Sequence, residues 1–169
     1  MSKSGLFAHF GSREELQLAV LEHAVQRYGE MVLMPALKIE RGLPRLRALF
    51  ERWLDWTLAS GLPGGCIMIS AANEYDDRPG AIRDAVIANQ RRGSGVTEKA
   101  VRLAIDEGHL KPHTDPGQIA FEILGIVLAS HNHRRLLGDR ETRKRALTAF
   151  EELVARHAAA PRRLRAASR

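Results

Sequence analysis

Asp115 to Leu137 reads DPGQIAFEILGIVLASHNHRRLL, and this stretch decides the fold class. Asp115 has a side chain suited to capping a helix. Pro116 fits the first helical position, where its missing N–H costs nothing, and Gln118 places an amide at the third. A helix is expected from there to about Leu137, where Gly138 ends it. Ile119, Ala120, Phe121, Ile123, Leu124, Ile126, Val127, Leu128 and Ala129 leave hardly any polar face over about three turns. A helix of that kind needs cover on two sides.

The segments on either side repeat the helical pattern. All seven prolines, Pro35, Pro44, Pro63, Pro79, Pro112, Pro116 and Pro161, fall at expected helix boundaries. Ser12 and Glu15 form a capping box ahead of a helix that carries Leu16, Ala19, Val20, His23 and Arg27 on one face and ends near Gly29. After Pro44, the residues Leu46, Leu49, Phe50, Trp53, Leu54, Trp56 and Leu58 give a broad apolar face on a helix reaching Ser60 or Gly61. Asp77 and Pro79 open a long helix ending at Gly108, with a bend or break expected at Gly93-Ser94-Gly95 because each glycine costs about 1 kcal/mol in a helix interior. Asp139 caps a last helix with Ala146, Leu147, Phe150, Leu153 and Val154 on its apolar stripe. The run from Gly64 to Ile69 suits a short strand or a helix. Helix is expected, since a lone strand would leave its backbone groups unpaired and no second strand candidate exists. The class is therefore all-α.

Composition agrees with a folded helical domain. The chain has 169 residues, 44% hydrophobic and 27% charged, which excludes disordered, collagenous and membrane-spanning classes. Its formal charge of +6 is mostly terminal. Arg162, Arg163, Arg165 and Arg169 lie in the last twelve residues without an acid, so the remainder carries only +2 and argues for no polyanion partner by itself. Cys66 is the single cysteine and can make neither an internal disulfide nor a cysteine-based zinc site. No apolar leader precedes Phe10, and the cytoplasm is the expected compartment.

Catalytic patterns are scarce. His131 and His133 project about 200° apart around a helix and cannot easily share a metal. His109 and His113 flank a turn beside Asp106 and Asp115, where a cation could be ligated, although ordinary loop residues are the expectation. Adjacent acids such as Asp76-Asp77 and Glu151-Glu152 do not converge on a substrate. No phosphate-cradling loop or nucleophile elbow occurs, so the expectation is a protein that is not an enzyme and uses no cofactor or metal.

The first sixteen residues are more informative. Ser2 to Phe10 has the character of a short helix with Leu6, Phe7 and Phe10 inward, leaving Lys3, Ser4 and His9 free for phosphate and base-edge contact. SKSGLFAHFGSREEL, Ser2 to Leu16, resembles the recognition helix and following helix of the TetR family of bacterial transcriptional repressors. GGCIMISAANEYDDRPGAIRDAV, Gly64 to Val86, and DPGQIAFEILGIVLASH, Asp115 to His131, resemble the effector-binding and dimerisation part of one TetR subgroup. The resemblance places Ser2, Lys3 and Ser4 at base-reading positions and Phe7, His9 and Arg13 at backbone-contacting ones. Phe7 stands where the family usually has tyrosine, removing a phosphate-bonding hydroxyl. Arg13 stands for lysine and keeps the charge.

The family has two helices ahead of the recognition helix, and this sequence starts within the turn. The head is therefore expected to be partial, from a start assigned too late or a shortened gene, and to bind operator DNA poorly in this form. Three regions are expected: residues 1–30 as the partial DNA-binding head, 31–157 as the effector-binding and dimerisation domain, and 158–169 as a basic tail.

The resemblance further implies a small-molecule cavity in the central helices. Trp53, Trp56, Cys66, Met68, Ile69, Asn73 and Tyr75 combine aromatic surface, a thiol and polar groups, which suits a small apolar or amphipathic effector. Phe121, Leu124, Gly125 and Leu128, with Phe150, Leu153 and Val154, are expected at a homodimer interface built as an intersubunit four-helix bundle. The implied function is ligand-responsive repression of transcription by a dimer on operator DNA. A shortened dimeric sensing or interaction module without DNA binding is the alternative.

Overall fold

The computed structural model describes residues 10–58 and 64–160. In chain order these form α1 (Arg13–Tyr28), a π turn (Gly29–Leu33), α2 (Met34–Leu37), α3 (Leu43–Leu58), α4 (Ile67–Tyr75), α5 (Ala81–Asp106), α6 (Pro116–Leu136) and α7 (Thr142–His157). Among the described residues the chain is all-helical, apart from one isolated antiparallel bridge between Leu110 and Ala158. No described helix is long and apolar enough to cross a membrane.

The capping residues work as their chemistry dictates. Ser12 Oγ accepts the Glu15 N–H at 3.0 Å, and Asp115 Oδ1 accepts from Gly117 and Gln118 N–H at 2.8 and 3.3 Å. Asp139, by contrast, is not the cap expected of it: the N-cap of α7 is Glu141, which makes no side-chain cap bond, and Asp139 Oδ1 takes the N–H of Glu141 at 2.9 Å. Gly138 adopts φ +67° just beyond α6, a conformation that stops a helix and suits glycine.

Helices α3, α5, α6 and α7 enclose the main core. Leu46, Leu49, Phe50 and Leu54 of α3 meet Val101 and Ala104 of α5, Ile119, Ile123 and Val127 of α6, and Phe150 and Leu153 of α7. At its centre Phe50 and Phe150 stack 4.2 Å apart with an interplanar angle of 6°. A smaller core forms where Leu21 of α1, Ala71 of α4 and Ile82 and Val86 of α5 meet.

Several expectations are corrected. The α-helix α1 does end at Tyr28 with Gly29 as its C-cap, but Gly29 keeps right-handed helical angles and the path continues into the π turn, where the Met34 N–H reaches back to the Gly29 carbonyl. Pro35 explains the widening, because its ring would strike the Met31 carbonyl in a regular α-helix and it has no N–H to donate. Within α1 the buried residue is Leu21, while Val20 is largely exposed. Gly93 and Gly95 cause no break, and α5 runs through both. Packing of Thr97, Ala100, Val101 and Ala104 offsets the roughly 2 kcal/mol that two interior glycines cost.

Phe150, Leu153 and Val154 are only 1%, 1% and 5% exposed. They fill the subunit's own core and cannot be direct interface contacts. The reading of 64–69 as helix holds from Ile67 onward, whereas Gly64 and Gly65 form a turn with φ +91° and +80°. Residues 1–9, 59–63 and 161–169 lie outside the described set, as do the expected ends at Ser60 and Gly61.

Candidate functional site

Tyr28, the last residue of α1, extends its ring between the two tryptophans of α3. It makes edge contacts with Trp53 at 6.4 Å and with Trp56 at 6.2 Å between centroids. Four residues apart would place these indoles on one face; three apart still does, because 300° is only a sixth of a turn short of a full circle. Burial pushes the Tyr28 phenol well above its ordinary range, and the neighbouring Cys66 thiol adds to that push. No described residue hydrogen-bonds its hydroxyl. The cluster is thus an aromatic wall with one polar atom that a bound molecule could satisfy.

The glycine turn before α4 places the Cys66 thiol close enough to Tyr28 to bear on its charge. Cys66 is buried and free, at the N-cap position of α4. Its backbone N–H donates to His131 Nε2 of α6 at 3.3 Å. Burial lowers the His131 pKa, the Gly64 carbonyl partly opposes this, and the Arg135 charge adds to the lowering. The neutral imidazole is the form that can accept the Cys66 N–H.

The opposite end of α4 is tied to α1. Gln17 Nε2 donates to the Tyr75 hydroxyl at 2.8 Å, beside the packing of Leu18 and Leu21 on Met68, Ala71 and Tyr75. Helix α1 therefore touches α4 near its start and the aromatic wall at its end.

A second surface lies on the outer side of α6. One side of this helix enters the core through Ile119, Ile123 and Val127, while the other leaves Phe121 70% and Leu128 41% exposed. Gly125 lies between them, and a Cβ there would meet nothing within 4 Å. The cover expected on two sides is thus supplied on one side only. Two open depressions of about 410 and 490 Å³ flank the outer surface of α7, one along Lys144, Thr148 and Glu152 and the other along Leu147, Glu151 and Ala155.

The expected ligand residues are divided by the fold. Trp53, Trp56 and Ile69 pack on the main core, with Cys66 adjacent to Tyr28. Met68 and Tyr75 pack on the smaller core, and Asn73 is exposed. Tyr28, Gln17 and His131 were not among the residues singled out for the site. An i, i+3 tryptophan pair was the visible signal for an aromatic wall, but the third ring sits on another helix. Of the expected DNA contacts, Ser2, Lys3, Ser4, Phe7 and His9 lie outside the described residues, and Arg13 is exposed at the start of α1. His109 supports the backbone, since its Nδ1 accepts the Leu43 N–H at 3.2 Å, over Gly42.

Residues 42–150, well over half of the chain, match the family described as tetracyclin repressor-like, C-terminal domain. The chain belongs to the TetR family. The fold of this TetR-family chain is shared by a TetR transcriptional regulator from Chloroflexus aurantiacus J-10-FL, with TM-score 0.82, 21% identity and coverage of 92% of this chain and 78% of that one. A TetR-family regulator from Cytophaga hutchinsonii gives TM-score 0.81 at 16% identity, covering 95% and 80%. AibR, solved in complex with isovaleryl coenzyme A and operator DNA, gives TM-score 0.69 at 24% identity, covering 94% and 81%. No curated protein matches the chain by sequence.

Proposed function

We propose that this TetR-family protein is a ligand-responsive transcriptional repressor that acts as a cytoplasmic homodimer on operator DNA. The observation that carries the reading is the double attachment of α1. Tyr28 ends the helix in the aromatic wall, Gln17 is bonded to α4, and the helix leads back toward residues 2–10. A molecule that wedges against Tyr28 or replaces the contacts of Trp53, Trp56, Cys66 and Ile69 would bias the direction of α1. That bias becomes a change in spacing between the two heads of a dimer, which is what an operator with two half-sites measures.

The effector in this reading is small and apolar or amphipathic, with an acceptor for the Tyr28 hydroxyl. Met68, Asn73 and Tyr75 of α4 are assigned to the effector site as well. Ser2, Lys3, Ser4, Phe7, His9 and Arg13 are assigned to DNA. Phe121, Leu124, Gly125 and Leu128 are assigned to the dimer seam. AibR, with a coenzyme A thioester and operator DNA in one crystal, supports this division of labour. The assigned regions are residues 1–30 for the head, 31–157 for sensing and dimerisation, and 158–169 for the basic tail; the boundary at 30 falls within the π turn. No catalytic step or cofactor is needed.

The test is cross-linking of the protein to DNA in its native cell, expressed from its own locus, followed by sequencing of the recovered fragments. Enrichment of a site with two related half-sites is expected. Isovaleryl coenzyme A and other small acyl thioesters, added to the purified protein on that site, form the first panel for release. Recovery of no specific site under any growth condition would refute the repressor and leave the sensing module.

A further inference from the structure

His131 and the glycine turn it faces do more than fill space. The imidazole projects from α6 three residues beyond Leu128, so it sits on the helix assigned to the dimer seam. Its Nε2 accepts the Cys66 N–H at 3.3 Å, and a Cβ on Gly65 would collide with that same nitrogen. Gly65 also holds φ +80° and Gly64 φ +91°. The turn thus has the two features a close approach by the ring demands, absence of a side chain and left-handed backbone. Ser70 Oγ donates to the Gly64 carbonyl at 3.3 Å and ties the turn to the first turn of α4.

We propose that His131 is a positioning residue, a latch from α6 that holds the Gly64–Cys66 turn closed and thereby fixes the start of α4 beside the aromatic wall. The latch needs a lone pair on Nε2. A proton there converts the acceptor into a donor facing the Cys66 N–H, and the contact is lost. The groups bearing on the ring are Arg135 from its own helix and the Gly64 carbonyl from the turn. Cys66 and, beyond it, Tyr28 are the titratable neighbours on that side. On α3 the carboxylate of Asp55 is engaged by Arg143 of α7 at 2.7 Å, and among the described residues no carboxylate acts on His131. Acid therefore breaks the Cys66 contact; no carboxylate holds the imidazolium in place, and the Gly64 carbonyl, the one group that favours the charged ring, is outweighed by burial.

The sign follows from the direction of the shift. The folded protein holds the proton more weakly than the unfolded chain does, so the latch is intact above the ordinary histidine value of 6.5 and loses stability as pH falls below it. The link from the latch to an effector rests on the function proposed above; the latch itself does not.

The single, buried Cys66 is a built-in reporter. The experiment measures its trapping rate in the native protein with dithiodipyridine, which reacts in acid as well as at neutral pH. Each rate is divided by that of the same protein in denaturant, so the thiolate fraction cancels. In the wild type the ratio is expected to rise about tenfold between about pH 7.5 and pH 5, the scale of one lost hydrogen bond. His131→Gln keeps an acceptor at the same reach and cannot be protonated, so its ratio should stay low and flat. His131→Ala should be about tenfold faster at both pH values, with a far-ultraviolet spectrum reporting that it folds. A flat wild-type ratio, or an acid rise in His131→Gln equal to that of the wild type, overturns the proposal. No effector or DNA enters this measurement, so its failure would leave the repressor reading standing.

Discussion

Replacing Phe121 with alanine should weaken the homodimer and leave the subunit folded. Phe121 is 70% exposed on α6, so an aromatic residue of roughly 200 Å² offers about 140 Å² for burial by a partner. Alanine would forfeit about 100 Å² of that, worth about 2.5 kcal/mol per protomer at ~25 cal/mol per Å². A twofold seam uses the residue twice, which sets an upper value of about 5 kcal/mol per dimer. If partner contact covers only half of the ring, the loss is about 2.5 kcal/mol. The expected rise in dimer Kd thus runs from roughly 70-fold to roughly 5,000-fold.

Sedimentation equilibrium across a wide concentration range reads this directly. Phe150→Ala is the matched control, because Phe150 is 1% exposed and stacked on Phe50. It should cost about 3–5 kcal/mol of subunit stability through a core cavity. A Phe121→Ala protein with native helix content and a dimer Kd within about threefold of wild type would refute the placement of the seam on α6.

Gly125→Ala tests the same seam from the opposite direction. Its Cβ meets nothing in the subunit, so the helix should gain up to about 1 kcal/mol while close approach of a second α6 is hindered; circular dichroism and sedimentation should move in opposite senses. Tyr75→Phe removes the acceptor for Gln17. It should cost about 1 kcal/mol in urea denaturation and speed amide exchange in α1, which would stay unchanged if α1 and α4 are uncoupled. Gly65→Ala should destabilise by more than about 1 kcal/mol, since it meets both a positive φ and the His131 ring; a neutral melting temperature would contradict the closed turn. Glu151→Gln breaks the ion pair with Arg47 at 2.7 Å, but both groups are well exposed and the loss should stay below about 1 kcal/mol.

Local chemistry made much of the fold legible before any coordinates. Ser12, Asp115 and Gly138 mark helix ends because a cap is decided by one side chain and the few backbone groups next to it. The surprises came where distant residues outvote local ones. Gly93 and Gly95 read as a break, yet Thr97 to Ala104 bury a face of α5 and keep the helix whole. Pro35 read as a boundary, but the π turn before it admits the ring without ending the chain's helical path. The apolar stripe of α7 was visible, and whether it met a partner or its own core was not. Phe150 finds Phe50 across the subunit, and nothing in the periodicity of α7 encodes that pairing.

The same distinction explains why the candidate site was only half legible. Trp53 and Trp56 announce an aromatic face through their spacing. The groups that give it direction, Tyr28 from α1 and His131 from α6, arrive from helices far away in sequence, and each looks ordinary in its own segment. What joins them is Gly64-Gly65-Cys66, a turn whose two glycines take up positive φ so that the Cys66 N–H can point at His131. Helix α4 is consequently held at its N-cap by α6 and at its last residue by α1. A displacement of α4 must strain or break one of these two hydrogen bonds. Each is worth about 1 kcal/mol net, small against a folded core and comparable with the coupling energies of ligand-driven regulators. What remains to resist movement is the packing of Met68 and Ala71 on the smaller core and of Ile69 on the main one, so an effector that moves α4 would have to replace those contacts as well as one end bond.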